Sequence, residues 1–177
     1  DSFKVSIPGN FNAYNMMCVI SLGYLLNIDI DSIKKTLLHI SVKGRLEPVN
    51  VSKKFNVLID YAYQGIAMEN VIKTIREAKP KRIVVVFGCG GNRSKQRRFD
   101  CGKIAGELAD LSILTADNPR YEDNDDIIND ILSTLKPTGG NYIIIPDRKE
   151  AIKYSIVNAK EGDVIMILGK GHEDYQE

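Results

Sequence analysis

The sequence is short of everything that would tie it to a membrane, a metal or a polyanion. No apolar stretch approaches the roughly 18 residues that suggest a membrane span. The opening Asp1-Ser2-Phe3-Lys4 has neither the basic nor the apolar segment of a secretory signal. An initiator methionine is missing as well, so the chain is expected to be a fragment. Net charge is only +1, which implies no polyanion such as nucleic acid as a bulk partner and leaves anion binding to local sites. The cysteines, Cys18, Cys89 and Cys101, are odd in number and scattered, which argues against a disulfide framework and for a reducing compartment. With no CxxC pair and only His39 and His172, a zinc site is not expected. There is no internal repeat and no low-complexity tract.

What is present is a run of 177 residues, 44% hydrophobic and 27% charged, enough for one good-sized domain or one domain plus a piece of another. A largely apolar stretch from Met16 to Leu26 reads as a buried helix, and Asp31 as the N-cap of a second helix over Ser32 to His39. Lys43 to Pro48 reads as a turn or the entry to an extended connector. From Phe55 onward short apolar runs alternate with amphipathic stretches. Strands are expected over 56–59, 81–87, 111–114, 142–145 and 163–168, with helices over 65–78, 99–109, 125–135 and 148–159. This alternation predicts an α/β fold with a mostly parallel sheet, helices on both faces and right-handed crossovers. The boundary falls at 48/49, leaving residues 1–48 too short to form a domain alone.

In a parallel sheet the residues just past each strand's C-terminal end face the ligand crevice. Here those positions hold Asp60-Tyr61-Ala62-Tyr63, Gly88 to Arg93, Asp117 to Arg120 and Gly169 to Glu173. Asp117 suits an ammonium, Arg120 a bidentate carboxylate, and Asn118 either. The alternative is a turn capped by Asp117 and Asn118 with Arg120 solvated. Glycines in Gly88-Cys89-Gly90-Gly91 permit backbone N–H groups to approach an anion, with Arg93, Lys95, Arg97 and Arg98 adding charge. The alternative there is a tight turn followed by a solvated basic face. Neither a Walker A loop nor a complete G-x-G-x-x-G is present. Glu173 suits an ammonium, and His172 reads as a structural histidine.

Taken in order, Gly9-x-Phe-Asn-x-Tyr-Asn15, Gly44-Arg-Leu-Glu47, Asp60-Tyr-Ala62, Gly88-Cys-Gly-Gly-x-Arg93, Asp117-Asn-Pro-Arg120 and Gly169-Lys-Gly-His-Glu-x-Tyr-Gln176 resemble the Mur ligase family. The resemblance implies a Rossmann-like C-terminal domain at 49–177, preceded at 1–48 by the helical tail of a central ATP-binding domain. It implies ATP-dependent amide ligation in cytoplasmic peptidoglycan synthesis: ATP phosphorylates the carboxylate of a UDP-N-acetylmuramoyl dipeptide, and an amino-acid amine displaces the phosphate. By motif, Asn15, Arg45 and Asp60 fall to ATP. Arg93, Asp117, Asn118, Arg120, Gly169 and Glu173 fall to the amino acid. Arg120 in D-N-P-R resembles the version that takes meso-diaminopimelate, whose second carboxylate gives the guanidinium a partner that lysine lacks.

The family's P-loop, its acidic Mg²⁺ ligands and its UDP-binding domain are absent from this stretch. The resemblance therefore implies no catalytic or metal-ligating residue here, and a chain inactive alone. A monomer is expected. Tyr63 stands where the family usually has His, and Asn92 where it usually has Asp. These departures keep open a relative adding lysine or another amino acid, and a non-catalytic binding module.

Overall fold

The computed structural model describes residues 2–177. Two helices come first, α1 (Asn10–Leu25) and α2 (Ile30–Leu37). Then come β1 (Glu47–Val49), β2 (Asn56–Asp60), α3 (Gly65–Glu77), β3 (Arg82–Phe87), α4 (Gln96–Leu108), β4 (Leu111–Leu114), α5 (Asn124–Leu135), β5 (Tyr142–Ile144), α6 (Arg148–Val157) and β6 (Asp163–Leu168). The strands form one sheet in the order β1-β2-β6-β3-β4-β5, parallel throughout except for β1.

Side chains alternate across each strand, so one pleated strand feeds two cores. Ile83, Val85 and Phe87 of β3 join Val164, Met166 and Leu168 of β6 under α3, α4 and α5. Val84 and Val86 join Ile165 and Ile113 on the other face, under Ala151 and Ile152 of α6. With both faces covered, β3 and β6 have no polar side and read as continuous apolar runs. A third cluster, Met16, Ile33 and Leu37, holds α1 to α2.

Several expectations are corrected. Helix α1 begins at Asn10 rather than Met16, so the Phe11 to Asn15 motif lies in its first turns. The cap of α2 is Asp29, whose carboxylate accepts from the Ser32 N–H at 2.9 Å; Asp31 is inside the helix. Helix α4 starts at Gln96, three positions before the expected Phe99. Glu47-Pro48-Val49 is a strand, pairing antiparallel with β2 across the 48/49 position. Pro48 sits in it without penalty because β1 is an edge strand.

The order of strands positions the site. Chain order runs β3, β4, β5 outward, then α6 returns across the opposite face and inserts β6 between β2 and β3. The C-terminal ends of β2, β6, β3 and β4 are thereby neighbours, and a crevice opens there at the reversal of winding.

Candidate functional site

A cavity of about 420 Å³ lies at these strand ends. Arg93, Asp117, Asn118, Arg120, Gly169 and Glu173 all line it. Three separate loops supply them, after β3, β4 and β6, which is why no single motif defined the site.

The loop after β4 carries the centre. Asp117 and Asn118 are buried. Burial pushes the Asp117 carboxyl above its usual range, opposed by the nearby Arg148 and Lys170 cations and reinforced by Glu173. Arg148 lies beneath, its guanidinium donating to the Ala116 carbonyl at 3.2 Å and the Leu168 carbonyl at 2.9 Å. It thus ties the ends of β4 and β6 together while placing positive charge under Asp117. Asn118 Oδ1 accepts from Lys170 Nζ at 2.8 Å and from the Glu177 N–H at 3.0 Å. Gly169 has φ 106°, and a Cβ there would lie 2.7 Å from Asp117 Oδ2.

Arg120 is left-handed at φ 55°, a conformation that costs a non-glycine residue about 1–3 kcal/mol. It is held by surrounding contacts. Its Nη1 donates to the Gly91 carbonyl at 2.9 Å, and its Nε pairs with the Glu177 carboxylate at 3.0 Å. The guanidinium is therefore already engaged with a carboxylate at the crevice mouth. Residues 173–177 run over the loop as a strap, with Gln176 donating to the Asp117 carbonyl at 2.6 Å.

In the glycine-rich loop two of the backbone donors are engaged within the protein. The Gly91 N–H donates to the Asn118 carbonyl at 2.8 Å, and the Asn92 N–H goes to the Glu122 carboxylate. These two donors are spent inside the protein, while Cys89 and Gly90 line the crevice. What glycine permits is close approach: a Cβ at Gly91 would stand 1.9 Å from the Pro119 carbonyl oxygen. Of the expected basic set, Arg93 and Arg97 line the crevice, while Arg98 is buried in ion pairs with Glu122 and Asp130 and Lys95 pairs with Asp130. Asn92 is left-handed at φ 53°, which asparagine tolerates, and its Oδ1 accepts from the Tyr121 N–H at 3.2 Å. An acceptor oxygen thus remains where the family usually has Asp. Tyr63 lines the same crevice, with the Arg97 guanidinium 5.3 Å above its ring.

A second cavity, about 490 Å³, opens between α1 and the start of α3. Asn15, Arg45 and Asp60 line it together, with Asn12 beside them. Asp60 is buried and accepts at 2.8 Å from both the Leu46 and Ala62 N–H groups. Burial pushes its carboxyl up, while these donors and Arg45 oppose. It thereby fixes the turn that presents Arg45, whose guanidinium lies 5.1 Å over the Tyr61 ring. Tyr61 lines the first cavity and meets the His172 ring edge-on at 5.3 Å, so the Arg45–Tyr61 contact joins a residue of each cavity. Lys170, Arg148 and the strap were missed as site residues. Lys170 carried a signal, a lysine between glycines after a buried strand; Arg148, at the start of a helix, carried none.

The family model described as "Mur ligase, glutamate ligase domain" matches residues 44–171. Among curated proteins, the UDP-N-acetylmuramoyl-L-alanyl-D-glutamate–2,6-diaminopimelate ligase of Caldanaerobacter subterraneus subsp. tengcongensis is 42% identical over 176 residues, 99% of this chain and 36% of that protein. The enzyme of the same name from Aquifex aeolicus is 46% identical over 175 residues, again 99% and 36%. The chain thus spans about a third of the length of these relatives. A solved structure of a ligase with that name superposes with a TM-score of 0.73 at 32% identity, over 99% of this chain and 36% of that one. Folylpolyglutamate synthase from Mycobacterium tuberculosis, solved with ADP and AMPPCP, shares the fold with a TM-score of 0.75 at 16% identity, over 94% of this chain and 39% of that one. From its parallel sheet, its strand-end crevice and the matched residues 44–171, the chain belongs to the Mur ligase family.

Proposed function

We propose that this chain is the C-terminal part of an ATP-dependent amide ligase that adds meso-diaminopimelate to UDP-N-acetylmuramoyl-L-alanyl-D-glutamate in peptidoglycan synthesis. The observation that carries this reading is Arg120, a mostly buried guanidinium at the crevice mouth already paired with a carboxylate, beside two further carboxylates. Diaminopimelate has two amino-acid ends. One end fits here, its carboxylate on Arg120 and Asn118 and its ammonium between Asp117 and Glu173, with Arg93 and Gly169 completing the wall. An ammonium held by two carboxylates keeps its proton and has no lone pair. The attacking amine must therefore be the one at the other end, which projects out of the crevice toward the activated carboxylate.

We assign the second cavity to ATP, with Asn15 toward the base, Arg45 toward the phosphates and Asp60 at the ribose and the Arg45 turn. Mg²⁺ would accompany ATP on ligands outside this chain. We assign residues 1–48 to the tail of a central ATP-binding domain and 49–177 to the amino-acid domain. The exposed apolar side chains of α1, among them Met17, Leu22 and Leu25, support a helix pair that packs on something further. A cytoplasmic monomer is the expected setting; among the described residues no helix is long and apolar enough to cross a membrane.

Calorimetry on the full-length protein tests the pocket. Diaminopimelate should bind far more tightly than lysine, and Arg120→Ala should cost roughly 2–5 kcal/mol of binding. Equal affinity for the two amino acids, or an unaffected mutant, would remove the assignment.

A further inference from the structure

Asn118 can present either an amide N–H or a carbonyl oxygen to the crevice, and the two choices read opposite charges. We propose that Lys170 is a positioning residue that locks the Asn118 carboxamide with its NH₂ toward the crevice, making that point a reader of carboxylate. The inference rests on the diaminopimelate reading of the crevice.

The hydrogen bonds decide the orientation. Lys170 Nζ, at 2.8 Å from Asn118 Oδ1, can only donate. The Glu177 backbone N–H, at 3.0 Å from the same atom, can only donate too. Turning the amide over would set NH₂ against two donors. Both lone pairs of Oδ1 are thus consumed, and Nδ2 is left with only a long 3.5 Å approach to Glu173 Oε2. Its donor capacity faces the crevice, which Asn118 and Glu173 both line.

Lys170 is itself fixed. It is buried, its ammonium lies 3.5 Å from Glu173 Oε2 and 5.1 Å from the Tyr175 ring centroid, and it sits between the left-handed Gly169 and Gly171. It therefore does not reach the substrate. It acts through Asn118, and it also balances Asp117 and Glu173 so that two carboxylates can share one small space.

The test uses the full-length protein and Asn118→Asp, which keeps shape and the acceptor for Lys170 but removes the Nδ2 donor. Diaminopimelate affinity should fall about 10- to 100-fold, the loss of a hydrogen bond to a charged group, with the KM for ATP unchanged. Lys170→Met should weaken diaminopimelate comparably. The Lys170→Met/Asn118→Ala double variant should be no weaker than Asn118→Ala alone, because both changes remove one interaction. Wild-type affinity in Asn118→Asp, or additive losses in the double variant, would overturn the inference while leaving the pocket standing. Failure of the wild-type protein to bind diaminopimelate would overturn both.

Discussion

Arg98 has 1% of its side chain exposed and carries a full charge. Its two terminal nitrogens pair with Glu122 at 2.7 Å and Asp130 at 2.8 Å, while Nε has no hydrogen-bond partner. These contacts clamp the start of α4 to the loop after Arg120 and to α5. Arg98→Ala would leave the clamp open and should cost roughly 3–5 kcal/mol, read as a lowered urea midpoint. Glu177 belongs to the same scale. Its exposed carboxylate occupies the guanidinium that we assign to the substrate, in a pair worth no more than about 1 kcal/mol. Glu177→Gln should therefore raise diaminopimelate affinity about 2- to 5-fold by calorimetry. Neither partnership was readable from sequence. Arg93, Arg97 and Arg98 look alike as letters, and only the turn of α4 sends one inward.

At the level of elements, the ligand edge of the sheet is made by loops packed on loops. Gly91→Ala would push Pro119 away and displace the whole Asp117 to Arg120 turn. Diaminopimelate binding should be lost while the far-ultraviolet circular dichroism is retained. The opposite edge is stapled by Arg82 and Asp163, register partners at the first residues of β3 and β6, paired at 2.6 and 3.1 Å. Burial alone would raise the Asp163 carboxyl, but the Arg82 hydrogen bonds and the Lys160 N–H outweigh it and hold the group below its usual range. Its stabilisation is therefore complete above the unfolded value near 3.9 and is lost as pH falls through the lower folded value. Asp163→Asn should lower the melting temperature at pH 7 and narrow the gap to wild type below about pH 4. The strands themselves were readable because β-branched runs bounded by glycine and aspartate leave few alternatives. The starts of α1, α2 and α4 were not: α2 turns on which of two nearby aspartates caps it, and α1 and α4 begin with no side-chain cap to mark them. Strand β1 was missed because three residues with a proline carry no period of their own.

For the molecule as a whole, Arg45 of the cavity assigned to nucleotide packs over Tyr61 of the cavity assigned to amino acid. The residues that would polarise ATP are expected outside the chain, so residues 1–177 alone should show no ATP-dependent ligation in a phosphate-release assay. Turnover by this chain alone would contradict that. In the full-length protein, Arg45→Ala should raise the KM for ATP about tenfold or more while leaving diaminopimelate affinity near wild type. Local order along the chain was enough to establish the alternation of strand and helix, the sheet's direction and which loops end at its ligand edge, because periodicity and turn chemistry are short-range properties. It was also enough to single out the Asp117-Asn118-Pro119-Arg120 turn. The insertion of β6 between β2 and β3, the inward turn of Arg98, the spending of the Gly91 and Asn92 donors and the Lys170 contact to Asn118 came from the folded arrangement. Each joins residues far apart in the chain, 52 positions in the last case, and depends on long-range packing that no local pattern encodes.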